Sequence, residues 1–405
     1  MKILITTDWY VPVINGVVTS VINLETELRR MGHDVRILTL SRDRSSHHIG
    51  DVYYIQSFNI DKIYPNARGT YHYYDKFVNE IIEWKPDVVH SQCELISFPF
   101  AKKVARKCMA PLIHTYHTIY EDYTHYFSFD KTIGRKAVEI CSKRLLMKVD
   151  SVVVPSDKIR ELLSLYGVTN PIYTIPTGIR LDTFGQKISS EERIRYKTEL
   201  GILPGNKVLI SLGRVAKEKN ILEIVNYVKR MRGDITLLIV GDGPYLRELQ
   251  ELVKSSSMEK RVVFTGMIEP EEVYKYYQLG DVFVCASNSE TQGLTYIEAL
   301  ASGLPAVCRK DLCLKEVIYN DENGFLYENY IEFESAIEGV LKSEESYQRM
   351  SEKAIEVSQK FSTHTFAETM EELYLSEIYK RKFLDTFCSA NVSNVASVFK
   401  RRGSV

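Results

Sequence analysis

No stretch of the chain reaches the roughly 18 consecutive apolar residues that a membrane-spanning helix needs, so no segment reads as a transmembrane span. The N-terminal run Met1-Lys-Ile-Leu-Ile-Thr-Thr-Asp8 reads as a strand rather than a secretory leader, and a cytosolic setting is expected. Seven cysteines (Cys93, Cys108, Cys141, Cys285, Cys308, Cys313 and Cys388) form no Cys-x-x-Cys pair and are odd in number. That argues against a zinc site and a disulfide framework, and leaves reduced thiols, mostly in cores. Asp-x-Asp occurs nowhere, and no His, Cys, Asp or Glu cluster has the spacing of metal ligands, so no metal and no other cofactor is expected. Internal repeats and low-complexity tracts are also missing. With a net charge of −1, no nucleic-acid partner is expected.

What is present is a globular composition, 44% hydrophobic and 26% charged, in 405 residues, enough for two domains with separate cores. Strand patterns alternate with helical ones. The first series runs Lys2–Thr7, helix Thr19–Met31, Val35–Leu40, helix Tyr73–Trp84, Val88–His90, helix Phe98–Cys108, Leu112–Tyr116, a basic helix, Ser151–Val154, helix Asp157–Tyr166 and Ile172–Ile175. The second opens at Val208–Leu212 and continues through helix Ile221–Met231, Thr236–Val240, helix Tyr245–Ser256, Val262–Thr265, helix Glu271–Leu279, Asp281–Ala286, a further helix and Ala306–Cys308. Such alternation predicts an α/β fold of two Rossmann-like, doubly wound parallel sheets. Pro176-Thr-Gly-Ile179 punctuates the joint, giving domains 1–176 and 177–365. A last helical pattern, about Thr365–Phe387, predicts a helix over 366–390, followed by a basic tail, 391–405.

The most informative run is Ser287-Asn-Ser-Glu-Thr-Gln-Gly-Leu-Thr-Tyr-Ile-Glu-Ala-Leu-Ala-Ser-Gly-Leu-Pro305. Leu294, Ile297, Leu300 and Ala301 have the spacing of one buried helical stripe, stopped by Gly303 and Pro305. Glu290 then lies on a strand-to-helix turn and Glu298 inside the helix, both near the carboxyl edge of a parallel sheet, where such sheets bind ligands. A helix start accepts an anion and carboxylates accept hydroxyl hydrogen bonds, which together suit a nucleotide sugar.

In that context the pair Glu290 and Glu298 resembles the signature of retaining nucleotide-sugar glycosyltransferases of the GT-B fold, family 4 type. That fold places its two Rossmann-like domains on either side of a cleft, and the resemblance implies that the helix over 366–390 crosses back to the first domain. Gly213-Arg-Val-Ala-Lys-Glu-Lys-Asn220 follows a strand and resembles the family's diphosphate-binding segment, which implies that Arg214 and Lys219 hold the donor phosphates and that Gly213 makes the turn. The bland alternative is a surface loop with an Arg–Glu ion pair. Gly16, placed just before a helix, matches the family's glycine-rich loop, of which only one glycine is kept. His117, in Thr115-Tyr-His-Thr-Ile-Tyr-Glu-Asp-Tyr123, matches the histidine that touches the donor sugar. That string, with Tyr10-Val-Pro-Val-Ile-Asn-Gly-Val-Val-Thr-Ser20, is most similar to the bacterial 1,2-diacylglycerol 3-alpha-glucosyltransferases. The resemblance further implies that the backbone at Met267 and Ile268 pairs with the base, that Glu298 takes the ribose, and that Glu290 with the N–H groups of Gln292, Gly293 and Leu294 holds the transferred sugar. Gly241-Asp-Gly-Pro244 would border the nucleotide, or be only a turn.

The implied activity is transfer of a hexose, glucose from UDP-glucose, to a lipid acceptor, diacylglycerol, at the inner face of the cell membrane. A soluble sugar or polysaccharide acceptor, or a nucleotide-sugar sensor without turnover, stays open. Basic residues cluster at Lys102, Lys103, Arg106 and Lys107 and again at Lys131, Arg135, Lys136, Lys143, Arg144 and Lys148. Helices with such faces, here Lys131–Lys148, and the tail Val392–Arg402 are expected to dock on an anionic membrane surface. Oligomeric state is not legible.

Overall fold

The computed structural model describes residues 1–43, 45–60, 67–119, 121 and 131–402, and the backbone alone for 131 and 384–402. The chain divides into two units, Met1–Pro176 with the chain from Phe366 onward, and Thr177–Thr365.

In the first unit the order is β1 (Lys2–Thr6), α1 (Gly16–Arg30), β2 (Asp34–Leu40), β3 (His47–Ile49), β4 (Val52–Ile55), β5 (Phe58–Asn59), β6 (Arg68–Gly69), α2 (Lys76–Trp84), β7 (Val88–Ser91), α3 (Phe98–Cys108), β8 (Leu112–Thr115), α4 (Lys131–Leu146), β9 (Ser151–Val154), α5 (Asp157–Leu165) and β10 (Ile172–Thr174). Eight strands form one sheet in the order β10-β9-β8-β7-β1-β2-β4-β3, parallel except where β3 turns back on β4. Central strands of a sheet covered on both faces need apolar residues at successive positions. Ile3, Leu4 and Ile5 of β1 are accordingly all fully buried. One face carries Leu4, Val89, Leu112 and Val152 against α2, α3 and α5, and the other carries Ile3, Ile37 and Ile113 against α1 and a C-terminal helix.

The second unit contains α6 (Leu181–Phe184), α7 (Ser190–Glu199), β11 (Lys207–Leu212), α8 (Ile221–Arg230), β12 (Ile235–Val240), α9 (Leu246–Ser255), β13 (Val262–Phe264), α10 (Val273–Tyr277), β14 (Val282–Cys285), α11 (Leu294–Ala301), β15 (Ala306–Arg309), β16 (Gly324–Tyr327), α12 (Tyr330–Val340) and α13 (Glu344–Ser358). Its sheet, β13-β12-β11-β14-β15-β16, is wholly parallel. Leu209, Ile239 and Val284 face α8, α9 and α12, while Ile210, Leu238 and Phe283 face α11 and α13.

Several elements differ from the sequence expectation. Helix α1 starts at Gly16 rather than Thr19, because the Asn15 side chain caps it by accepting the Val18 N–H at 2.9 Å. The final helix, α14 (Thr363–Arg402), runs through the expected tail, since no Gly or Pro interrupts it before Gly403. The short strands β3 to β6, strand β16, and helices α7, α12 and α13 add to the elements that the sequence pattern predicts. Two-to-four-residue strands give too few periods to register. All six described cysteines are free, and Cys141 is exposed. Among the described residues no helix is long and apolar enough to cross a membrane.

Candidate active site

In the second unit the chain leaves β11 for β12 and β13, then returns to place β14 on the other side of β11. Crevices at such reversals, outside the carboxyl ends of the strands, are where open α/β sheets bind ligands. The loop after β11 and the loop after β14 flank this point. Lys219 closes a short 3-10 turn, Lys217–Lys219, and its Nζ donates to Glu290 Oε1 at 2.5 Å. Glu290 is nearly buried, so this contact supplies the counter-charge its carboxylate needs. Arg214 donates to Glu218 in its own loop, the Arg–Glu ion pair of an ordinary surface loop, while its side chain stays 38% exposed and within reach of an incoming anion.

The backbone is drawn tight around this edge. Gly241 has φ +132°, and a Cβ there would stand 2.1 Å from Gly213 O, so only glycine allows the loops after β11 and β12 to touch. Val215 N donates to Asp242 O, and Gly241 N to Gly266 O at 3.0 Å, which ties in the loop after β13 that carries Met267 and Ile268. Met267 is 62% exposed, whereas Ile268 is partly buried against the core. The Asp242 carboxylate accepts the Gly243 N–H at 2.6 Å and so serves the turn.

Gly293 caps α11 with φ +77°, and a Cβ there would meet the Tyr296 ring at 2.1 Å. Leu294 begins the helix; the Tyr296 N–H already donates to Gly293 O at 3.2 Å, which leaves the N–H groups of Leu294 and Thr295 without an intrahelical acceptor. The Gln292 amide is engaged elsewhere, accepting from Thr177 N at 2.8 Å and donating to Thr177 O at 2.9 Å, so only its backbone is available to a ligand. Glu298 Oε2 accepts from the fully buried Tyr277 hydroxyl at 2.8 Å. Burial pushes the Glu298 carboxyl up to about 7, with Tyr277 opposing the shift, although part of the residue still reaches solvent.

The first unit has its own reversal, between β1 and β7. His117, just past β8, lies with Nε2 2.6 Å from Gln92 Oε1, and burial pushes its imidazole down to about 4, leaving it neutral. Asp8, at the end of β1, accepts from the N–H groups of Ser97 (2.7 Å) and Ile96 (3.2 Å). A Cβ added at Gly16 would meet nothing within 4 Å, so the place of this residue at the start of α1 does not itself demand glycine. Tyr120, Asp122 and Tyr123 of the sequence string lie outside the described residues. A hollow of about 200 Å³ beside the β1 loop is lined by Trp9, Tyr10, Val13, Arg42, Tyr54 and Arg68, among others. A larger one, about 620 Å³, lies at the amino end of β12, at the opposite sheet edge from Lys219 and Glu290. Among the described residues no group of three His, Cys, Asp or Glu is placed to share a metal ion.

Residues 14–183 match the family Glycosyltransferase Family 4, and residues 192–357 match Glycosyl transferases group 1. The chain is 35% identical to the alpha-monoglucosyldiacylglycerol synthase of Streptococcus pneumoniae, over 95% of this chain and 87% of that protein. It is 32% identical to the protein of the same name from Acholeplasma laidlawii, over 94% of this chain and 98% of the other. The chain is a family 4 glycosyltransferase. Among solved structures, Anabaena HepE with UDP and glucose matches with a TM-score of 0.73 at 17% identity, over 93% of this chain and all of that one. The sucrose-phosphate synthase of Thermosynechococcus elongatus matches at 0.72 and 20%, over 93% of this chain and 98% of that one. These likenesses show the GT-B fold. Within this glycosyltransferase the second unit brings Gly213, Arg214, Lys219, Met267, Ile268, Glu290, Gln292, Gly293, Leu294 and Glu298 to one sheet edge, and the first unit carries His117 and Gly16. Sequence reading did not single out Gln92 and Tyr277, which contact His117 and Glu298 and carry no motif.

Proposed function

We propose that this glycosyltransferase moves glucose from UDP-glucose to the hydroxyl of a diacylglycerol, with retention, at the anionic inner face of the cell membrane. The observation that carries the acceptor is the match along 95% of the chain to a protein named for that product. For the donor, the support is a sheet edge that joins two cations, a helix start and two carboxylates. Arg214, Lys219 and the first turn of α11 would bind the diphosphate, Glu298 the ribose hydroxyls, and the backbone at Met267 and Ile268 the base.

The acceptor oxygen attacks the anomeric carbon from the face that the diphosphate leaves. The bond from that carbon to the phosphate oxygen breaks, and a phosphate oxygen of the departing UDP takes the acceptor's proton. Lys219 exchanges Glu290 for phosphate, so Glu290 is left to stabilise positive charge developing on the sugar. Neutralisation by these groups requires no metal.

Docking on the membrane is supported by α4. Ile133, Ile140 and Met147, seven residues apart, are 68%, 40% and 59% exposed, and Lys136, Arg144 and Lys148 beside them are exposed as well. Lys143 is half-buried and its Nζ lies near Gly167, which removes it from that face. The side chains of the tail, Val392 to Arg402, lie outside the described residues.

The test supplies UDP-glucose with diacylglycerol in anionic vesicles, and separately with soluble sugars, and identifies the product by NMR. An α-glucosyldiacylglycerol is expected. A β-linked product would overturn retention, and glucosylation of soluble acceptors alone would overturn the lipid.

A further inference from the structure

Glu223 stands in the first turn of α8, directly after the loop that carries Arg214 and Lys219. Its carboxylate accepts from Arg309 Nη1 at 2.9 Å and 2.7 Å, from the Tyr327 hydroxyl at 3.1 Å and from Asn220 Nδ2 at 3.0 Å. Arg309 and Tyr327 face each other as the last register pair of β15 and β16. Tyr327 is fully buried, and burial together with the Glu223 charge holds its hydroxyl well above the usual range, so it stays a donor. In the sheet order β11-β14-β15-β16 those two strands lie beyond β14. The Glu223 side chain therefore ties the loop after β11 to strand ends that are not its neighbours.

The link to the loop is Asn220. It closes the 3-10 turn Lys217–Lys219 at φ +50°, a left-handed conformation that most residues with a Cβ avoid. The turn is held by backbone bonds as well: Asn220 N donates to Lys217 O at 3.0 Å, Lys219 N to Ala216 O at 3.1 Å, and Glu223 N to Asn220 O at 3.0 Å. An ionised carboxylate only accepts, so the amide nitrogen of Asn220 is the atom that faces Glu223, and the orientation of this side chain is decided. We propose that Glu223 is a positioning residue: held by Arg309 and Tyr327, it fixes Asn220 in the left-handed conformation and so sets where Lys219, one residue before, presents its ammonium to the donor diphosphate. This rests on the proposed donor site. Lysine carries its charge on a flexible stem, and such a contact gains most when the backbone beneath it needs no ordering on binding.

Two variants separate this role from a structural one. Asn220→Gly cuts the link and leaves Glu223, Arg309 and Tyr327 together, since glycine takes a positive φ freely. Glu223→Met combined with Arg309→Met removes the carboxylate without leaving its partner charge unpaired. Each should raise the Kd for UDP about tenfold, read by calorimetry, and each should change it less than about twofold when Lys219 is already alanine, because one contact cannot be lost twice. A purely structural role would lower the melting temperature without this dependence on Lys219. An unchanged Kd in both variants where Lys219→Ala weakens UDP, or a tenfold effect that persists in full in the Lys219→Ala background, would overturn the assignment. Amide exchange without nucleotide reads the brace separately: the Lys219 and Asn220 amides should exchange faster in the Glu223→Met, Arg309→Met protein than in the wild type. Equal rates refute the inference even if UDP binds. Faster exchange, in a protein where Lys219→Ala leaves the Kd for UDP unchanged, refutes the diphosphate role of Lys219 and leaves the brace standing.

Discussion

Glu290 meets two opposite demands, since the carboxylate that accepts from Lys219 at 2.5 Å is the one proposed to face a cationic sugar. Glu290→Gln keeps the shape and an oxygen for Lys219 but removes the charge. Turnover should fall about 10²–10³-fold, the scale of losing one group that stabilises transition-state charge, with little change in melting temperature. Near-normal turnover would remove Glu290 from the chemistry. Glu298 presents a different case. Its carboxyl sits at about 7 in the folded chain against an ordinary 4.5, so between those values the native state holds a proton that the unfolded chain releases. The contribution of Glu298 to stability is therefore full below about 4.5 and is lost as pH rises through 7. Glu298→Gln should abolish that decline and be more stable than the wild type at pH 8 by about 2–3 kcal/mol, while binding UDP more weakly. Urea unfolding at pH 5 and pH 8 measures it, and an unaltered pH slope would exclude Glu298 as the source. Neither residue's partner was legible, although both glutamates were, because Lys219 and Tyr277 lie 71 and 21 positions away.

Among the elements, α4 carries the clearest surface expectation. Its buried side, Val138, Ser142 and Leu146, packs on the first sheet, and on the opposite side Ile133 and Ile140, with Met147 just past the helix end, are exposed beside cations. Each basic residue near an anionic surface contributes about 1 kcal/mol. Reversing Lys136, Arg144 and Lys148 to Glu should therefore lower binding to anionic vesicles by at least about 10²-fold at low salt, read by sedimentation. Lys143→Glu, on the half-buried side, should affect folding more than binding, and equal loss of binding in both variants would argue against this face. Helix α14 shows the converse, an element whose return to the first unit was expected from the resemblance and whose packing partners were not. Phe366, Met370, Leu373 and Tyr374 complete the core of the first unit from the far end of the chain. Periodicity announces a buried stripe; it does not say which sheet receives it.

For the molecule as a whole, two sheets with separate cores predict a localised response to nucleotide. UDP should slow amide exchange around 213–220, 241–243, 266–268 and 290–298 in the second unit, because those loops share one sheet edge and ligand binding stabilises the state that binds. Protection centred on β1 and β7 instead would move the donor site to the first unit. What the sequence determined by itself was local: the alternation of strands and helices, Gly213 and Gly293 at their turns, Glu290 on a loop and Glu298 on a helix. These follow from spacing along the chain, since apolar period and turn chemistry act over a few residues. Only the tertiary structure decided that Lys219 answers Glu290, that Tyr277 backs Glu298 and that Gln92 holds His117. Those partners are set by which strands lie side by side, and strand order depends on the packing of the whole sheet, which no local pattern encodes.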